Sequence, residues 1–120
     1  MSQLTSDIQQ NYALFIQQSQ DTQQVWALQF DDEWVVCDSA EQPGREVMPI
    51  WSAQEDAQRH CVDEWADYRA APIALEEFME EWVNDLAEDQ VLMGINWNAD
   101  LDGIEVEPLT LARDLADEEI

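Results

Sequence analysis

Apolar residues along this chain recur first at helical spacing, then in alternation, then at helical spacing again, and those switches lay out its elements. Ile8, Tyr12, Phe15 and Ile16 share one face, which predicts a helix over 6–18. Ser6 is its expected cap, with Gln9 completing a capping box. The outer face and the following QQSQDTQQ are glutamine-rich and read as a polar helix end and loop. Alternation then takes over in VWALQF (25–30) and WVVCD (34–38), with Trp26, Leu28 and Phe30 on one side. The acidic turn Asp31-Asp32-Glu33 makes them a hairpin. EVMPIW (46–51) is a third strand, and Pro49, which has no N–H for a ladder bond, predicts an edge or a bulge there.

Ser52 and Glu55 form a second capping box, opening a helix in which Ala53, Ala57, Cys61 and Trp65 step by four. PIAL (72–75) is a short extended segment. Over 75–89, Leu75, Phe78, Met79, Trp82, Val83 and Leu86 form the strongest amphipathic face in the chain. VLMGINW (91–97) is almost continuously apolar, the mark of a central strand covered on both faces. IEVEP is a short strand, and Pro108 suits the first turn of a last helix carrying Leu109, Ala112, Leu115 and Ala116. The order α-β-β-β-α-β-α-β-β-α predicts an α+β fold. It is expected as one domain over 1–120, a single mixed β-sheet (the N-terminal hairpin plus further strands) with helices packed on it.

Composition sharpens this picture. Hydrophobic residues make up 46% of the 120, which is not the composition of a disordered chain. The apolar runs are far shorter than the roughly 20 residues that span a bilayer. The beginning, MSQLTSDIQQ, has neither a basic flank nor an apolar stretch, so no signal peptide is expected. Cys37 and Cys61 form no CxxC pair; reduced thiols and a cytoplasmic location are expected. Charge is the extreme feature. Twenty-eight acidic residues against four arginines give −24. Such a surface repels nucleic acid and anionic membrane and attracts basic partners, more weakly as salt rises. Solubility, or adaptation to a salty cytoplasm, is the plainer account of it, and a dedicated basic partner is the alternative.

Candidate chemistry is sparse. His60 is the only histidine, and its neighbour Cys61 points about 100° away on a helix, so adjacency makes no dyad. Glycine occurs only at 44, 94 and 103, so no glycine-rich turn can cradle a phosphate. No catalytic residue and no cofactor is assigned. Trp26, Trp82 and Trp97 sit at core-patterned positions. Trp34, Trp51 and Trp65 lie at element ends, where an indole can be half exposed, and with Tyr68 they form the candidate contact patch. Glu76, Glu77, Glu80, Glu81 and Asp85 cover the outer face of the helix over 75–89. Its seven carboxylates, with Glu88 and Asp89, give about one charge per 3 Å, near the roughly 3.4 Å phosphate spacing of one DNA strand. A nucleic-acid mimic is therefore one reading of that face, a solvated surface the other. Asn98, Asp100, Asp102 and Gly103 imitate the opening of an EF-hand loop, but the position for the bidentate glutamate holds Leu109, and a strand precedes where a helix is needed. A turn between strands, with Gly103 supplying a positive φ, explains the same residues, and no metal is expected.

PIWS (49–52), EEFMEEW (76–82) and GINWNADLDGIEVEP (94–108) carry a resemblance to the small bacterial proteins of domain-of-unknown-function family 2750, extending over about 8–115. A looser likeness is to the N-terminal domain of SseB-type proteins, through an apolar strand with a Pro-x-aromatic-Ser step, a helix, a short Pro-led strand, a second helix and a Gly-containing strand. The first resemblance implies no activity or ligand. The second implies regulatory and protein-binding roles by analogy of fold alone. The expected function is a non-catalytic protein-interaction or regulatory module. The alternatives are an acidic mimic that sequesters a basic partner, and a small-molecule binder or enzyme with a carboxylate-lined cleft. Direct nucleic-acid or membrane binding is not expected, and homo-oligomerisation is left open.

Overall fold

The computed structural model describes residues 4, 7–31, 33–39, 42–61, 65–98 and 103–116, which build an α+β fold. Helix α1 (Ile8–Thr22) is capped by Asp7, whose carboxylate accepts from the N–H groups of Gln9 and Gln10 at 3.1 and 3.2 Å. Ser6, the expected cap, lies outside the described residues. The helix runs on to Thr22 because nothing in the glutamine-rich stretch breaks it. It stops where Gln23 turns left-handed (φ 61°) and its N–H returns to the Ser19 carbonyl.

The hairpin forms, but its second arm is divided. β1 (Gln24–Phe30) pairs with β2 (Glu33–Trp34), whereas β3 (Cys37–Asp38) pairs with β4 (Glu46–Ile50). The strands therefore make two sheets in place of the single one expected. One has the order β2-β1-β5, with β5 at Arg69–Ala74. The other runs β3-β4-β6-β7, with β6 at Leu92–Ile95 and β7 at Ile104–Val106, and in it β4 and β6 are parallel. The sheets meet where Trp26 and Trp51 exchange two backbone hydrogen bonds of 2.8 Å.

Pro49 marks the division. Successive peptide groups of a strand face opposite sides. Ile50 accepts from the Asn96 N–H on the β6 side, while Trp51 faces β1 and Val47 pairs with β3. Pro49 faces the same side as those two, between the end of the β3 pairing and the bridge to β1, where a missing N–H breaks no ladder bond. So β4 lies inside its sheet, and the edge that proline predicts is a local gap.

The outer edge of β5 is protected in a similar way. Trp26 spends its hydrogen bonds on Trp51, so its partner Pro72, and with it Ala70, face outward. Ala70 N–H donates to the Gln58 side chain at 3.2 Å, and Pro72 has none to offer, which blunts the edge against strand addition.

Three expectations change in the helices. α2 is only Gln54–Gln58, begins after an Ala53 without a side-chain cap, and leaves Ser52 to bond elsewhere. The helix over 75–89 is built as α3 (Leu75–Glu77), a π-helical turn (Phe78–Trp82) and α4 (Val83–Glu88). All six of its expected apolar positions are buried or half-buried. In α5 (Pro108–Ala116) the inward residues are Pro108, Leu111 and Leu115, while Leu109 is 60% exposed.

Alternation along the strands sends side chains to two cores. Val25, Ala27, Met48, Ile50, Met93 and Ile95 meet α1, α5 and the α3–α4 helix. Leu28, Val47 and Leu92 face the other way, with Trp51 and Trp97, and are covered by the short α2 and the segment around Trp65 and Tyr68. β6 is buried at every residue, as its continuous apolar run implies.

Candidate functional site

The parallel pair β4 and β6 ends, at its carboxyl side, in a buried polar network. Asn96 is fully buried and left-handed (φ 46°), a conformation asparagine tolerates better than most residues. Its Oδ1 accepts from the Ser52 N–H at 3.0 Å, and its Nδ2 donates to the Asn11 carbonyl and to Ser52 Oγ, both at 3.1 Å. The Ser52 hydroxyl donates in turn to Gln18 Oε1 at 2.7 Å. One amide thus ties β6, the end of β4 and α1 together. The first two residues after β4 and β6 also join directly, since Trp51 Nε1 donates to the Trp97 carbonyl at 3.0 Å. Trp97 lies over Gly94 and Gly103. A Cβ on Gly94 would stand 2.6 Å from the indole, and one on Gly103 would also meet it. Gly103 is needed for this close approach, and the positive φ expected of it is found at Gly44 instead (φ 90°).

His60 belongs to this end. Its Nδ1 is 2.9 Å from the Asp56 carbonyl oxygen and its Nε2 3.0 Å from that of Asn98, and its ring lies 4.8 Å from that of Trp51. Both ring nitrogens face backbone carbonyls, so neither is placed to take a proton from a nucleophile. Burial pushes the Cys61 thiol up, which leaves it poorly ionised and weakly nucleophilic. The arrangement is an anchor for the segment after β6, not a catalytic dyad. Asp56 Oδ1 and Trp97 Nε1 are buried there without a hydrogen-bond partner among the described residues.

The opposite, amino end of the same strands is held by Arg45. Its guanidinium donates to the Gln90 carbonyl (2.9 and 2.7 Å), to Gln42 (3.1 Å) and, bidentately, to Glu107 (2.7 and 3.2 Å). The hydrogen bond from Arg45 holds the Glu107 carboxyl below the usual carboxylate range.

The four expected contact residues do not form one surface patch. Trp51 is fully buried and is no part of any surface, because its indole carries the Trp97 bond. Trp34 is half-buried on the helix-covered side, edge-on to Trp82 with ring centroids 4.9 Å apart. Trp65 and Tyr68 come together on the other side, where half-buried Trp26 joins them and Phe30, 43% exposed, stands 5.7 Å from the Tyr68 ring. Among the described residues, α2 lies beside this ledge of four aromatics. Phe30 was legible as a strand residue on the Trp26–Leu28 face, but its exposure was not.

Glu76, Glu77, Glu80, Glu81 and Asp85 are all exposed, and none has a hydrogen bond or ion pair from its side chain among the described residues. The π-helical turn passes through the middle of this row, so the carboxylates do not keep the even spacing of a regular α-helix. Of the EF-hand-like set, Asp100 and Asp102 lie outside the described residues, and the Asn98 carbonyl faces His60. Among the described residues no group of three or more His, Cys, Asp or Glu is placed to hold a metal ion.

The described residues line clefts on two parts of the surface. A shallow one of about 360 Å³ beside Arg45 is lined by Asp38, Glu46 and Asp89. A groove of about 720 Å³ runs between α1 and α5, with Tyr12, Ile16 and Ile104 in it and Asp114 on one wall. Tyr12 donates to Asp114 at 2.5 Å, and its hydroxyl pKa is raised by burial and by that carboxylate. No described helix is long and apolar enough to cross a membrane.

Residues 12–115 match a family model described as a protein of unknown function, DUF2750. No curated protein and no solved structure is significantly similar to the chain.

Proposed function

The chain belongs to the DUF2750 family, and from that premise we propose that it is a non-catalytic protein-interaction or regulatory module of the cytoplasm. The observation that carries this reading is the aromatic ledge of Trp26, Phe30, Trp65 and Tyr68. Large aromatics left partly exposed on one face of a sheet are the usual anchors of a protein contact. With −24 overall, the partner that approaches this ledge most readily is a basic one. The test is affinity capture with the wild type and with Phe30→Ala/Tyr68→Ala. A partner retained in high salt by the wild type and lost by the double variant supports the ledge. Equal capture by both removes it.

A second reading rests on a separate observation, the exposed and unpaired row from Glu76 to Asp85. It makes the chain an acidic mimic that sequesters a nucleic-acid-binding partner. Capture abolished by high salt and by Glu80→Gln/Glu81→Gln, but indifferent to Phe30→Ala/Tyr68→Ala, selects this reading over the first.

A further inference from the structure

The groove between α1 and α5 lies on the helix-covered side of the sheets, away from the aromatic ledge, and combines an apolar floor with one charged wall. Ile16 and Ile104 supply the floor, Gln9 and Gln17 stand exposed at the lip, and Asp114 forms the wall. Tyr12 occupies only Asp114 Oδ2; the other oxygen has no partner among the described residues. The chain's own Arg113, next to it in sequence, makes no ion pair with it. The groove is open along its length, which suits a side chain presented from a larger surface better than a free molecule enclosed on all sides.

We propose that this groove is a docking site for an arginine side chain carried on a basic segment of a partner protein. The methylene stem lies on Ile16 and Ile104, as long cationic side chains commonly cover apolar surface. The guanidinium meets the open oxygen of Asp114, and Gln9 and Gln17, which line the same groove, offer amide oxygens to its remaining N–H groups. Several acceptors spread around one cation favour the planar five-donor fork of arginine over the point charge of lysine, and the Tyr12 ring offers it an aromatic neighbour. The uncompensated negative charge of the whole chain draws such a segment in, while Asp114 fixes where it stops.

The experiment is chemical-shift mapping on the full chain with a short blocked peptide containing one arginine, beside its lysine and citrulline counterparts and free guanidinium ion. The expected result is saturable movement at Tyr12, Ile16, Ile104 and Asp114, weaker with lysine and absent with neutral citrulline. Asp114→Asn keeps an oxygen for Tyr12 while removing the charge, so the fold is retained, and it should weaken arginine binding about fivefold or more. Glu80→Gln/Glu81→Gln, on the other acidic surface, should leave it unchanged. The proposal is overturned if the shifts spread over the α3–α4 face, or if Asp114→Asn binds as the wild type does. It is equally overturned if free guanidinium ion binds as tightly as the peptide, since the groove is then a small-cation site. Resonances of Phe30, Trp65 and Tyr68 report the aromatic ledge separately, so failure of either site leaves the other standing.

Discussion

The two ends of the β4–β6 pair are fastened by opposite kinds of chemistry. At the carboxyl end, neutral amides and hydroxyls are buried out of water, with Asn96 and Trp51 fully enclosed. At the amino end, Arg45 and Glu107 do a similar joining task with full charges, and the Glu107 side chain is 52% exposed. Solvent decides what each is worth. An exposed ion pair exchanges good hydration for good pairing and gains little. A buried amide has no water to return to, so losing one partner strands the others. The ends should therefore differ widely in how much damage one substitution does, even though each is held by several hydrogen bonds.

The largest effect is expected from Asn96→Leu. It leaves the Ser52 N–H unpaired, removes the Asn96 bond to the Asn11 carbonyl and forces a branched side chain into a left-handed backbone, at a cost of about 3 kcal/mol or more in urea unfolding. A loss below about 1 kcal/mol would mean that water replaces the amide and that this end is not sealed. Next comes Gly94→Ala, whose Cβ meets the Trp97 ring; overpacking of this kind costs about 1–3 kcal/mol. Adding Trp97→Leu should make the double variant less destabilised than the two single losses added together. Strict additivity would show that the contact is not the cause.

Tyr12, half-buried, should lie between the extremes. Tyr12→Phe is expected to cost about 1 kcal/mol at neutral pH. The folded hydroxyl pKa is raised, so its stabilisation is complete below the unfolded value of about 10 and is lost as pH climbs above it. The variant should show less of that alkaline loss, and a parallel loss in both proteins would exclude the Tyr12–Asp114 bond as its source. Smallest of all is Glu107→Gln. The folded Glu107 carboxyl is lowered, so the difference from wild type should be present above the ordinary carboxylate range and vanish as pH falls through it. It should also fade near about 1 M salt, where charges are screened within about 3 Å. If Glu107→Gln rivals Asn96→Leu in thermal unfolding, the contrast between the two ends fails.

Much of the frame was legible from the sequence. Periodicity located the described helices and most strands, because which side of a helix or strand a residue occupies depends only on its neighbours in the chain. The apolar face from Leu75 to Leu86 and the buried run of β6 were read directly. The reading of the site was weaker, and Trp51 shows why. An indole at a strand end looks half exposed until a second strand, 46 residues later, places a carbonyl beside its N–H. Ser52 has the same history: as a local motif it caps a helix, but in the fold it bonds Asn96 and Gln18, and α2 starts without it.

By itself, then, the sequence determined the family, the α+β class, the apolar faces of the first helix and of the helix over 75–89, and the acidity of the chain, since each rests on local pattern or on sums over the chain. The tertiary structure alone decided that the strands divide into two sheets at Pro49, that Asn96 and His60 become buried anchors, and that Trp97 lies against two glycines. It also set Phe30 beside Tyr68 on the open face and Tyr12 beside Asp114. Those outcomes depend on which distant segments meet, and a short polar side chain is equally at home in water or in a buried network until its partners arrive.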